Sequence, residues 1–171
     1  NDRSQLFSMS SKAKEAMATD LLDVLSDRGY YKGEEIKACE DAGIRVYLPK
    51  TNTANNRAKG RFEKSEFRYF PEEDVYRCPA GDVLKWRMTT VEKGQNLHRY
   101  WSSNCQTCHL KEKCTPSLQR RVTRWEHEAV LDRVERPLAS EPDKMRIRSQ
   151  TVEHPFGTIK HWMGATHFQM K

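Results

Sequence analysis

Four cysteines and two carboxylates are the residues whose types and spacing bear on chemistry in this 171-residue chain. Cys105, Cys108 and Cys114 form a CxxCxxxxxC run, and Cys78 stands upstream in a turn-like CPAG segment. Four soft thiolates suit a tetrahedral metal site. A small segment with few apolar residues cannot hold its own shape, whereas structural zinc supplies folding free energy of order ~10 kcal/mol. An iron–sulfur cluster takes the same ligands, and His98 and His109 are candidate replacements. The plain alternative is four buried thiols packing as small hydrophobes, which is also how Cys39, beside Ile36, is read. Asp27 closes the apolar run LLDVLSD, and Glu153 stands seven residues before Lys160, nearly two helical turns and so on one face. Singly, each acid is explained as a cap, an ion-pair partner or a solvated charge. To be read as a pair they need further support.

The elements that must position these residues follow from periodicity. Leu6, Met9, Ala13 and Met17 recur at steps of three and four, which predicts an amphipathic helix over residues 3 to 18 with those four on its buried face. Leu21, Leu22, Val24 and Leu25 form a short, nearly continuous apolar run, predicting a strand covered on both faces with Asp27 at its carboxyl end. Gly33 to Ala42 predicts a second helix with Ile36 and Cys39 inward, stopped by Gly43, and Ile44 to Leu48 a second strand ended by Pro49. Strand, helix and strand at these lengths make a parallel βαβ unit, whose sites lie beyond the strands' carboxyl ends. From Thr51 a basic, Asn- and Gly-rich stretch without periodicity predicts a mobile loop. Aromatic and β-branched segments between Phe67 and Trp101, broken at Pro79, Gly81 and Gly94, predict a small antiparallel insertion. Helical spacing returns over Trp125 to Val134, and a last helix is expected from Arg146 onward, carrying Val152, Phe156, Ile159 and Met163.

Composition narrows the partners. A net charge of +6 from 30 Lys and Arg against 24 Asp and Glu favours a polyanion, with DNA or RNA first. No window approaches the roughly 18 apolar residues of a membrane helix, and the polar start lacks a signal peptide's apolar core. The expectation is a cytoplasmic protein with no membrane partner. Five cysteines, an odd count, suit a reducing compartment and metal ligation better than a disulfide framework.

The segments VLSDRGYYKGEEIKACEDAGIRVYLPK, YRCPAGDVL, CQTCHLKEKC and above all TVEHPFGTIKHWMG resemble the carboxyl-terminal part of DDE transposases from bacterial insertion sequences. The likeness runs over most of the chain, from about Asp2 to about Phe168. The resemblance implies an α/β, partial ribonuclease H-like fold interrupted by a small β-rich, cysteine-containing insertion. Residues 1–50 are then the first part of the core, 51–120 the basic loop and Cys-rich insertion, and 121–171 the core's carboxyl-terminal helices. Asp27 matches the family's second catalytic aspartate, Glu153 its catalytic glutamate and Lys160 the basic residue after it. The first catalytic aspartate is expected upstream of Asn1, so the isolated chain is expected to be inactive while the full-length parent cleaves DNA and transfers strands. Four positions before the glutamate, where the family carries a basic residue, this chain has Ser149, flanked by Arg146 and Arg148.

The chemistry implied by the resemblance uses Mg2+ or Mn2+ held by Asp27 and Glu153, with Zn2+ or an iron–sulfur cluster at the cysteines. Water first cleaves at the transposon end, and the freed 3′ hydroxyl then attacks target DNA. Lys160 would position a phosphate, while Arg57, Lys59, Arg61, Lys64, Arg68, Arg146 and Arg148 would hold the DNA backbone without reading sequence, in a homo-oligomer assembled on DNA. Two other classes stay open: a non-catalytic zinc-stabilised DNA-binding module and an iron–sulfur nuclease.

Overall fold

Helix α1 (Leu6–Ala16), strand β1 (Leu22–Leu25), helix α2 (Gly33–Asp41) and strand β2 (Ile44–Tyr47) follow one another in the order the spacing predicts. The computed structural model describes residues 2–50, 55–140, 143–148 and 150–151. These fall into two units, one built from Asn1–Thr51 with the segment from Ala129 onward, the other from Asn52–Glu128.

In the first unit β1 and β2 pair in parallel, Leu22 opposite Ile44 and Leu25 opposite Tyr47, with α2 as the connection. Gly43 adopts φ +68°, the left-handed stop that a side chain would resist. The Glu35 carboxylate of α2 accepts from the backbone N–H of Phe7 at 3.0 Å, satisfying an orphan donor in the first turn of α1. At the opposite ends, Lys14 Nζ donates to the Ala42 carbonyl at 2.6 Å. The starts and the ends are thus tied pairwise, and the two helices run side by side in one direction.

Contrary to the expected face of α1, Met9 and Met17 are 58% and 65% exposed, and the buried residues are Leu6 and Ser10. Ser10 is buried because its hydroxyl is hydrogen-bonded to the Cys39 thiol; a paired polar group sits in a helix interface where periodicity alone expects an apolar one. Leu21 is 78% exposed and β1 is half-buried, so the strand is not covered on both faces among the described residues.

The second unit is an antiparallel sheet of β3 (Arg68–Phe70), β4 (Val75–Arg77), β5 (Val83–Glu92), β6 (Gln95–Trp101) and β7 (Val122–Trp125), paired in that order. The expected hairpins are present, and β7 extends them. The one-turn helix α3 (Lys111–Cys114) lies in the connection from β6 to β7. One face of the sheet builds the core, with Phe67, Tyr76, Leu84, Tyr100 and Val122 buried. Tyr69, Tyr76 and Tyr100 pack ring against ring at centroid distances of 4.9 to 6.3 Å. Asp74 accepts from the hydroxyls of Tyr69 at 2.8 Å and Tyr100 at 2.6 Å, and burial pushes the Tyr100 phenol well up from its ordinary range.

Trp125 belongs to β7 rather than to a helix, because Val122 and Arg124 alternate with Thr123 and Trp125 across a ladder to β6. Helix α4 (Glu128–Ser140) begins three residues later and contributes Val130, Leu131 and Val134 to the first unit's core. Helix α5 (Asp143–Arg148) follows. Its Lys144 stands 3.3 Å from Asp23 and over the Tyr47 ring at 4.9 Å. The expected last helix overlaps α5 at Arg146, while Val152, Phe156, Ile159 and Met163 lie outside the described residues.

Candidate active site and the cysteine-lined cavity

Asp27 is exposed two residues beyond β1, at the carboxyl end of a parallel strand. Extended backbone at φ −89°, ψ 170° places it at the start of a short turn, where its Oδ1 accepts from the Gly29 N–H at 2.6 Å. It shares the wall of a cavity of about 240 Å³ with Leu6, Ser10, Leu25 and Tyr30. A Cβ built on Gly29 would stand 2.9 Å from Asp27 Oδ1, so the glycine is what admits the carboxylate to this position. Asp23, the other acid of LLDVLSD, is taken by ion pairs to Arg45 at 3.6 Å and Lys144 at 3.3 Å. The two aspartates therefore divide between a strand-end position and a structural ion-pair cluster.

Glu153 and Lys160 lie outside the described residues, as do the side chain of Arg148 and the whole of Ser149. Arg146 is exposed in α5, 3.5 Å from Asp143 one turn earlier. Arg57 and Lys59 are exposed in a short 3-10 turn, and Arg57 and Arg61 share a surface recess with Glu63 and Glu66. Lys64 is committed to an ion pair with Glu128, a carboxylate that is 7% exposed and also accepts from the Trp125 N–H at 2.9 Å. Arg68 is exposed, its guanidinium 5.1 Å from the Phe70 ring centroid.

The sequence motif in the second unit converges on one place. Cys78, Cys105, Cys108 and Cys114 all line a cavity of about 220 Å³, together with His109, Lys111 and Arg120. Cys78 opens a tight turn, its carbonyl accepting from the Gly81 N–H at 2.8 Å and its N–H donating to Asp82 at 3.0 Å. Burial raises the Cys114 thiol, the Arg120 guanidinium lowers it, and the other three cysteines act on it as neighbouring charges. No three His, Cys, Asp or Glu side chains stand together as a metal-holding group among the described residues. His98 is engaged elsewhere, with Nδ1 2.8 Å from Thr89 Oγ1.

Fold and site together define a mixed helix-and-sheet protein with an acid where parallel βαβ units carry their sites. The family model described as the transposase DDE domain matches residues 77–171, more than half of the chain, and the chain belongs to that family. The matched span contains Glu153, Lys160 and all four cavity cysteines, and begins beyond Asp27. No curated protein matches the chain, and no solved structure does. No helix among the described residues is long and apolar enough to cross a membrane.

Proposed function

We propose that this chain carries part of the active site of a DNA transposase, which cuts a phosphodiester bond at the element's end and joins the freed 3′ hydroxyl to target DNA. Family membership supports the chemistry, and the observation that carries the site is Asp27, exposed at the carboxyl end of a parallel strand and held there by Gly29. Asp27 is the hard-oxygen donor that a cation of the magnesium class prefers, and with Glu153 it would hold Mg2+ or Mn2+. When bound, the cation supplies Lewis-acid stabilisation of the attacked phosphate. Lys160 holds a phosphate oxygen by charge, and Arg57, Lys59, Arg61, Arg68 and Arg146 engage the DNA backbone.

The scaffold of this reading is a ribonuclease H-like core. Among the described residues β1 pairs in parallel with β2 across α2, the right-handed type of connection from which such a core is built. The protein acts on DNA as a homo-oligomer. The four cysteines of the second unit receive a structural role, with zinc drawing together the connection between β6 and β7.

The test is divalent-cation-dependent nicking and strand transfer by the full-length protein on its own end sequences. Lewis-acid stabilisation worth several kcal/mol corresponds to a loss of roughly 10² to 10³ in rate, which is the expectation for Asp27→Asn and for Glu153→Gln. Unchanged rates in either variant remove that residue from the mechanism.

A further inference from the structure

The antiparallel sheet has a second face, assembled from residues that stand far apart along the chain. Register fixes it: Arg68 is opposite Arg77, Phe70 opposite Val75, Val75 opposite Lys85 and Lys85 opposite Trp101. Residues opposite one another share a face, and Arg77 shares one with Val75 two positions back, so Arg68, Arg77, Lys85, Phe70 and Trp101 all lie on the side away from the tyrosine core. Arg121, just before β7, sets its guanidinium 5.2 Å from the Trp101 ring centroid. We infer that this face is a binding surface for the phosphate backbone of double-stranded DNA, held by Arg68, Arg77, Lys85 and Arg121 without sequence readout.

Three observations carry the inference. First, the four cations are exposed, and among the described residues none is paired with a carboxylate. The face's own acid, Glu92, is taken by Arg99; Glu72 and Glu73 sit in the turn between β3 and β4. Second, Arg68 and Arg77 occupy directly opposite positions, which costs stability unless an anion lies between or beside them. Third, the aromatic rings of the face are closed: Phe70 by Arg68 at 5.1 Å and Arg77 at 4.9 Å, Trp101 by Arg121, and Trp125 by its own burial. Stacked guanidinium groups present donors outward to phosphate oxygens, and rings so covered are closed to the base stacking that single strands use. At about 4.8 Å per strand, cations placed from β3 to the edge of β7 spread over roughly 20 Å, a length that holds several phosphates along one strand.

The inference rests on the proposed function only for its choice of polyanion. It is tested by fluorescence anisotropy with a labelled random-sequence duplex in magnesium-free buffer, so that binding is read apart from cleavage. Removing three phosphate contacts in Arg77→Gln/Lys85→Gln/Arg121→Gln is expected to lower the slope of log affinity against log salt by about 2.7. An equal charge loss in the first unit, Lys12→Gln/Lys32→Gln/Lys37→Gln, is expected to leave the slope nearly unchanged. A second measurement needs no variant: in the unaltered chain, Lys85 is expected to be protected from amine acetylation by duplex DNA, and Lys12 not. Equal slope losses in both triple variants, no loss in either, an unprotected Lys85, or tighter binding of a single strand or of RNA overturns the inference. A slope that falls as expected while the full-length protein, given its own end sequences and a divalent cation, never nicks DNA leaves this surface standing and sinks the transposase reading instead.

Discussion

Asp27 and Gly29 form a pair in which the smaller residue governs where the carboxylate can stand. A methyl group at Gly29 would approach Asp27 Oδ1 to 2.9 Å, closer than real Cβ atoms come, and the carboxylate would have to move. The turn is exposed, so Gly29→Ala is expected to change stability by no more than about 1 kcal/mol. A displacement of order 1 Å at a reacting group costs about 10² in rate, so nicking by the full-length protein is expected to fall by that factor while the melting temperature moves by no more than about 4 °C. Full activity would show that the turn does not set the carboxylate. Cys39 gives the contrasting case of a buried group without a functional partner. Burial, with the Glu35 charge beside it, pushes its thiol up to about 11, against the lowering effect of the Ser10 hydrogen bond. A raised folded value means that the protonated thiol is the form the fold prefers. The stabilisation is complete below the unfolded value of 9.0 and is lost as pH rises from there through about 11. Thiol alkylation of the native chain is therefore expected to spare Cys39 below pH 9, whereas Cys39→Ser removes the loss of stability on the alkaline side; early alkylation would contradict the burial.

Between elements, the strongest local device is the pair of ties joining α1 and α2. Lys14 caps the carboxyl end of α2 from a neighbouring helix, where a cation meets both an orphan carbonyl and the negative end of the dipole. Lys14→Met keeps the stem and removes the charge, and is expected to cost about 1 kcal/mol in urea unfolding; no change would make the contact incidental. Glu128 is the corresponding device of the second unit, at once an acceptor for the Trp125 N–H and the partner of Lys64. Because Lys64 is partly exposed, Glu128→Ala is expected to cost about 2 kcal/mol rather than the 3 to 5 kcal/mol of a fully buried pair. Neither tie is visible in the sequence. Periodicity was sufficient for α2, β2 and the parallel pairing, since Ile36 and Cys39 bury themselves at helical spacing and Gly43 stops the helix. It failed for α1, where the buried face carries a serine satisfied by Cys39 and leaves Met9 and Met17 in solvent. It failed again at Trp125, whose strand pairing depends on Leu97 of β6, 28 residues earlier. Polar pairs across elements have no signature in the spacing of one element alone.

At the level of the whole chain, the family was legible because it is written in short contiguous motifs, above all the VEHPFGTIK stretch. The cationic sheet face was not, because it exists only once five strands are in register; of its four cations, Arg68 alone stood among the basic residues singled out from the sequence. The cysteines fall between these cases, with spacing that announced a cluster and a fold that sets all four around one cavity. That cavity adjoins a connection from β6 to β7 whose buried residues are Ser102 and Thr115 rather than large apolar side chains. Its internal ties are single hydrogen bonds, such as Ser102 to Asp82, Phe62 N–H to the Lys113 carbonyl at 2.9 Å and Arg120 to the Phe62 carbonyl at 3.3 Å. Structural zinc contributes of order 10 kcal/mol, comparable to the whole stability of a domain, and Lys111 and Arg120 would offset the negative charge of four thiolates. The four thiols line one cavity, but among the described residues no three of them stand together as a metal-holding group, so zinc binding requires them to draw closer, and on the proposed reading the full chain purified without chelator is expected to hold about one zinc by elemental analysis. Cobalt exchanged into the site should give thiolate charge-transfer absorption, lost in Cys78→Ser, Cys105→Ser, Cys108→Ser or Cys114→Ser and kept in Cys39→Ser. Chelation should unfold residues 52–128 first, seen as early loss of hydrogen-exchange protection in β5 and β6. Iron with visible absorption would replace zinc by a cluster, and neither metal above background would leave the four thiols as packing residues and return the stability of the second unit to its tyrosine core.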